Sequence, residues 1–280
     1  MMKINIFLGT SKAKEYCEGN GTVVGIFDKC FNIMTDNHQM LTIFNKTKRF
    51  STRALVSGYQ GSILGLPISS GEKVFISSEK IRLSNVEFDL SDMQIYETYR
   101  RSLKNTINEV AFQEFGEILE KYKTNSPLVC EGTLTFEKFN QGLKMLKINS
   151  AKGFEMLIGL GVGLTPSADD FLSGLAAFFH IINYLPEFNF SLKKYLEQKG
   201  MERTTFVSCN LLKDICNGHI NEDLYNLIYS LVSENKDTQF LTRRMIDYGS
   251  TSGYETCLGI LAGYKFYKNG DFNNGSYKLC

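Results

Sequence analysis

The sequence has no tryptophan, only 4 prolines in 280 residues, and no C-x-x-C pair among its 7 cysteines. The missing pair excludes a zinc ribbon or a thioredoxin-like redox motif. An odd number of scattered thiols, at 17, 30, 130, 209, 216, 257 and 280, fits a reducing compartment. There is no His-Glu-x-x-His run and no Gly-x-Ser-x-Gly elbow, and His38, His180 and His219 lack metal-ligand spacing, so no metal site is expected from them. Charge of one sign is also missing. Lys+Arg 31 against Asp+Glu 30 leaves a net charge of +1, which excludes a global field for nucleic acid or an anionic membrane and makes any anion site local. The most apolar stretch, Leu175–Leu185, contains His180 and Asn183 and is shorter than the ~20 residues of a membrane span. The N-terminus lacks the apolar core of a secretory signal. A cytoplasmic location is the expectation.

What is present is core-forming material, 43% hydrophobic and 12% aromatic. Up to about residue 90, short apolar runs such as 22–27, 30–34, 40–44, 54–56 and 73–77 are broken by turn residues. They are rich in β-branched and aromatic side chains and read as strands of an antiparallel sheet or small barrel. At Ser91 the texture changes: Ser91 with Gln94 forms a capping box, and apolar residues then recur at steps of three and four from Tyr96 to Tyr122, predicting a long helix ending near Lys123. Further helices are predicted over about 137–147, 166–185, 205–217, 222–233, 238–248 and 254–268. The fold class is α+β, with a β-rich domain over 1–90 packed on a mainly helical domain over 91–280.

The helical part carries the segment most suited to chemistry, Gly159-Leu-Gly161-Val-Gly163-Leu-Thr165-Pro166-Ser167-Ala168-Asp169-Asp170. Alternate glycines let amides approach a ligand. Thr165 is placed to cap a helix with Pro166 at its first position. The amides of the turn, Ser167 and Ala168 would then meet the positive end of the helix dipole, a ready anion site. It is neither a Walker loop nor a dinucleotide fingerprint. Asp169 and Asp170 either complement the dipole or accept from a ligand N–H; a ligand with a negative end and an NH2 group suits both halves of the loop.

A second turn, Gly249-Ser250-Thr251-Ser252-Gly253, repeats the pattern. Aligning Gly163 with Gly249 superposes Thr165 on Thr251, Asp169 on Glu255 and Leu172 on Leu258. Between the turns, Arg203 is a candidate clamp for a carboxylate or phosphate. Thr205 and Ser208 share one helix stripe and are candidates for ligand contact or for capping.

The glycine segment to Asp170, the Arg-Thr-Thr-x-x-Ser stretch at 203–208 and Gly249–Gly253 resemble a bacterial family long known as a domain of unknown function. That family includes the AllH-type subunit of oxamate carbamoyltransferase in purine (allantoin) degradation. Ala168 stands where the family pattern has glycine, and Thr251 where it has serine. The resemblance implies a cytoplasmic transferase subunit working in a hetero-complex on carbamoyl phosphate and oxamate or oxalurate. The chemistry of the loops themselves makes Asp169 and Asp170 the candidate catalytic residues, and Gly161, Gly163, Thr165, Ser167, Arg203, Thr205, Ser208, Ser250, Thr251, Ser252 and Gly253 the candidate substrate contacts. Two alternatives stand beside the transferase reading. One is a non-catalytic small-anion-binding or assembly subunit; the other is a phosphohydrolase using Asp169, Asp170 and Glu255 to hold Mg2+, without which no cofactor is expected.

Overall fold

A computed structural model describes residues 1–47, 50–103, 107–122, 126–233 and 237–270. Its first compact unit, Met1–Tyr99, contains the strands β1 (Met2–Thr10), β2 (Gly19–Ile26), β3 (Cys30–Thr35), β4 (Met40–Phe44), β5 (Ala54–Ser57), β6 (Lys73–Ile76), β7 (Lys80–Arg82), β8 (Val86–Asp89) and β9 (Gln94–Tyr96), with the one-turn helix α1 (Ser11–Lys14). The sheet order β5-β4-β3-β2-β6-β7-β8-β1 closes on itself through a β1–β5 pairing, giving an eight-stranded barrel with β9 as an extra strand on β1. β1 alternates, burying Ile4 and Ile6, a period-two signal that the strand reading passes over. Its first half runs parallel to β8, Met2 opposite Val86, and its second half antiparallel to β5. The barrel is therefore mixed rather than antiparallel, with β4–β5 and β1–β9 also parallel. Its interior is filled by Ile4, Ile6, Val23, Phe31, Ile33, Leu41, Ile43, Leu55, Val74, Ile81 and Phe88.

The helix predicted from Ser91 does not form. Ser91 sits in a turn, its amide donating to Asp89 Oδ1 at 2.9 Å, and residues 94–96 pair in parallel with β1. Sheet pairing overrides the helical spacing of the tyrosines. The helix begins later, where Asn108 accepts from the Ala111 amide at 3.1 Å and caps α2 (Glu109–Lys121); its predicted end at Lys123 lies outside the described residues.

The second unit, from Arg100 onward, is helical: α2, α3 (Leu134–Ile148), α4 (Ser150–Leu157), α5 (Ser167–Ile181), α6 (Pro186–Arg203), α7 (Phe206–Cys216), α8 (Glu222–Val232), α9 (Thr238–Ile246) and α10 (Ser252–Asn269). No helix among the described residues is long and apolar enough to cross a membrane. α4 and α6 are absent from the sequence reading. α6 buries only Asn189, Leu192, Leu196 and Gly200, so its apolar stripe is too thin to stand out from its polar surround. α5 is the central element, buried along most of its length.

α5 and α10 approach at backbone distance. A Cβ on Gly174 would fall on the Thr256 carbonyl oxygen, and one on Gly259 on the Phe171 carbonyl oxygen. The contact is reciprocal. Ser167 and Ser252 each open their helix, and the same steps onward lead to Asp170 and Glu255, to Phe171 and Thr256, and to Gly174 and Gly259. The related pairs thus stand one residue away from the alignment on Gly163 and Gly249, and Asp170, not Asp169, is the counterpart of Glu255.

Gly174→Ala and Gly259→Ala should each destabilise the chain by about 1–3 kcal/mol, as expected for overpacking, despite a helix-propensity gain of about 1 kcal/mol. Urea unfolding measures this; a midpoint equal to that of the parent protein would contradict the backbone contact.

Candidate functional site

The glycine segment leaves α4 at Gly159, makes an exposed tip over Val162–Leu164, and enters α5 through Pro166. Gly161 (φ 122°) and Gly163 (φ 96°) take left-handed angles; Gly161 packs against the Ser167 amide, whereas Gly163 borders open space. Two details differ from the sequence reading. Pro166 is itself the residue before the first helical turn, so Thr165 does not cap α5. The Ala168 amide is taken by the Leu160 carbonyl at 2.9 Å, and the Asp169 and Asp170 amides donate to the Pro166 carbonyl at 2.8 and 3.1 Å. The loop thus folds back onto the helix start, which narrows the expected cradle to the amides at its tip.

The two adjacent aspartates part company here because consecutive helical positions point about 100° apart. Asp169, 1% exposed, is enclosed by donors. Its Oδ1 accepts from the Gly159 amide at 2.8 Å, and its Oδ2 from Ser208 Oγ at 2.6 Å and from Thr204 Oγ1. Burial raises its pKa, while these three donors pull the other way. Asp169 therefore ties the loop to the end of α6 and the start of α7. Thr205 caps α7, accepting from the Ser208 amide at 3.0 Å and donating to the Leu164 carbonyl. Arg203, on an exposed part of α6, donates to the Glu155 carbonyl. The Arg-Thr-Thr-x-x-Ser stretch thus holds the glycine loop in place, and the hydroxyls of Thr205 and Ser208 are spent on protein acceptors.

Asp170 faces the second turn. Its carboxyl, 8% exposed, has an Oδ2 without a hydrogen-bond partner. Burial is the main cause that pushes its pKa up to about 8; the Ser252 and Thr165 hydroxyls beside it oppose the shift, and the charges of Glu255 and Asp169 add to it. Thr165 Oγ1 and Ser252 Oγ lie 3.3 Å apart, so the two turns meet. Glu255, 1% exposed, accepts from Ser126 Oγ at 2.7 Å and from Thr251 Oγ1 at 3.2 Å. Ser126 and Thr204 escape the sequence reading. Thr204 adjoins the singled-out run, whereas no spacing ties Ser126 to a residue 129 positions away. Ser250 lies exposed between α9 and α10; Gly253 is buried against the Met245 carbonyl and Ser167 against Gly161, both in packing positions.

Among the described residues no group of three or more His, Cys, Asp or Glu side chains could hold a metal. Asp169 turns its oxygens toward Gly159, Thr204 and Ser208, away from Asp170 and Glu255, so the Mg2+ reading loses its third carboxylate.

Two helix starts locked together through glycine, each with a buried carboxylate one turn in and hydroxyls on its approach, define a helical unit with a paired-carboxylate constellation, not a nucleotide-binding fold. Residues 157–264 match the family model described as oxamate carbamoyltransferase subunit AllH. The match runs from the end of α4 into α10 and takes in both turns and both carboxylates, in agreement with the resemblance carried by the motifs. No solved structure matches the chain.

Asp170 and Asp169 should separate in a pH series. Between pH 3.8 and about 8 the folded chain keeps an Asp170 proton that the unfolded chain has released, so this group makes stability fall as pH rises through that window and levels off above it. Asp170→Asn mimics the protonated acid. Its melting temperature should gain on that of the parent protein as pH rises toward 8, whereas Asp169→Asn, which disturbs three bonds, should lower it at every pH. A parallel offset for Asp170→Asn across the series would refute the assignment.

Proposed function

We propose that the chain is a carbamoyltransferase subunit, cytoplasmic and part of a hetero-complex, in which Asp170 handles a proton on a small amide-bearing anionic substrate such as oxamate. The family match supports the subunit role; the substrate and its place in purine degradation rest on the resemblance. The observation that carries the reading is the buried, unpartnered Asp170 Oδ2 beside Glu255 at the meeting of the two turns. In transfer from carbamoyl phosphate, the amide nitrogen of the acceptor forms a bond to the carbamoyl carbon. The bond from that carbon to the phosphate oxygen breaks, phosphate leaves, and one proton departs from nitrogen. A carboxyl group with a pKa of about 8 holds and releases such a proton near neutral pH. The remaining work is positioning and stabilisation of the leaving phosphate, for which Gly161, Gly163, Thr165, Ser250, Thr251 and Ser252 supply amides and hydroxyls around the turns.

A second reading, a non-catalytic assembly subunit that holds the anion while a partner performs the chemistry, is favoured by the loop tip. Val162 is 83% exposed and Leu164 48%, apolar groups that suit a protein partner.

Phosphate release from carbamoyl phosphate, followed with oxamate and the candidate partner subunits present, distinguishes the two. Asp170→Asn should lower kcat by about 100-fold or more, the usual worth of a general acid or base, with the fold retained in thermal melting. Gly163→Val should raise the substrate KM. Full turnover in Asp170→Asn leaves the assembly reading.

A further inference from the structure

We infer that Ser126, in the segment before α3, is a positioning residue for the paired carboxylates: its hydroxyl fixes Glu255 as the hydrogen-bond acceptor of the pair, which leaves Asp170 as the member that carries their proton. The inference deepens the proposed activity and rests on the reading in which Asp170 handles a substrate proton. It adds the residue that decides where that proton resides.

The geometry assigns the roles. Ser126 is fully buried, and its Oγ accepts from the Leu128 amide at 3.2 Å. An amide N–H can only donate, so that bond uses an oxygen lone pair and leaves the hydroxyl hydrogen for Glu255 Oε1, 2.7 Å away. Thr251 Oγ1 donates to the other oxygen, Oε2, at 3.2 Å. Glu255 thus has a donor on each oxygen, whereas Asp170 Oδ2 has none. Of two carboxyls buried together, the one whose oxygens receive donors keeps the charge, and the proton settles on the other. The shift of Asp170 agrees in direction, raised chiefly by burial with the charge of Glu255 adding to it.

Other charged groups around the pair are engaged or turned away. Asp169 directs its oxygens to Gly159, Thr204 and Ser208. On the helices packed against α10, Arg244 of α9 pairs with Asp223 at 2.7 Å and Glu109 of α2 with Lys268, while the remaining charged side chains of α2 and α9 are exposed. Lys265 feels the charge of Glu120 more than two turns farther along α10. Lys213 and Asp214 stand at the opposite end of α7 from Ser208.

The test reads the proton itself and needs no turnover. The full chain, carrying carbon-13 at its aspartate side-chain carboxyls, is titrated by NMR, and the Asp170 resonance is the one lost in Asp170→Asn. In the parent protein this carboxyl should ionise near pH 8. Ser126→Ala removes the donor from Glu255 Oε1, so part of the proton passes to Glu255 and the Asp170 resonance at neutral pH should move toward its ionised position. Ser126→Thr, which keeps the hydroxyl, should restore the parent position. Glu255→Gln removes the neighbouring charge and should lower the pH at which Asp170 ionises by about one unit or more; this variant carries the test if Ser126→Ala proves unstable. An Asp170 that ionises in the ordinary carboxylate range, a resonance unmoved by Ser126→Ala or moved equally by Ser126→Thr, or a titration unchanged in Glu255→Gln would each overturn the inference. Full turnover in Asp170→Asn would instead overturn the proposed activity and leave these titrations as they are.

Discussion

The helical unit depends on one contact, the reciprocal seating of two glycines on two carbonyl oxygens where α5 meets α10. Only a residue without Cβ lets two helix backbones come so close, and the pairing sits less than two turns from both helix starts. Once the axes are locked there, the first-turn residues have no freedom to diverge, and Asp170, Ser252, Thr165 and Glu255 are forced into one neighbourhood. Two carboxylates buried side by side would not arise from packing preference, since each raises the cost of charging the other. The backbone contact imposes them.

Asp169 performs the opposite duty. It collects an amide from the end of α4, a hydroxyl from the end of α6 and another from α7, so three chain segments distant in sequence are pinned to one carboxylate. This division explains how adjacent, chemically identical residues take separate tasks. One carboxylate has donors on both oxygens and serves as a fastener; its neighbour has the Ser252 and Thr165 hydroxyls beside it but one oxygen without a partner, and burial favours its protonated form.

The sequence carried much of this pattern. Alternating apolar runs announced the β-rich part, and the two glycine turns with hydroxyls and carboxylates announced paired helix starts. What it could not supply was register. The alignment on Gly163 and Gly249 fell one residue off because the prolyl entry of α5 and the Thr251 entry of α10 use different numbers of residues between glycine and helix. The helix read from Ser91 failed for a different reason: three of its residues had a partner strand at the far end of the unit, and ladder bonds to β1 outweighed a local capping pattern. Ser126 was invisible because long-range hydrogen bonds to a single side chain leave no periodicity.

The closing strand of the barrel has a kinetic meaning. β1 precedes all three of its neighbours, β5, β8 and β9, which come from residues 54–57, 86–89 and 94–96. Contacts so distant in sequence carry a loop-closure cost that slows folding. During synthesis Met2–Thr10 therefore has no partner until β5 has been made, and its pairing with β8 and β9 waits for residues 86–96. Its alternating Ile4 and Ile6 face stays open to other partners during that interval, and the barrel becomes safe from misassociation only when its last strands arrive.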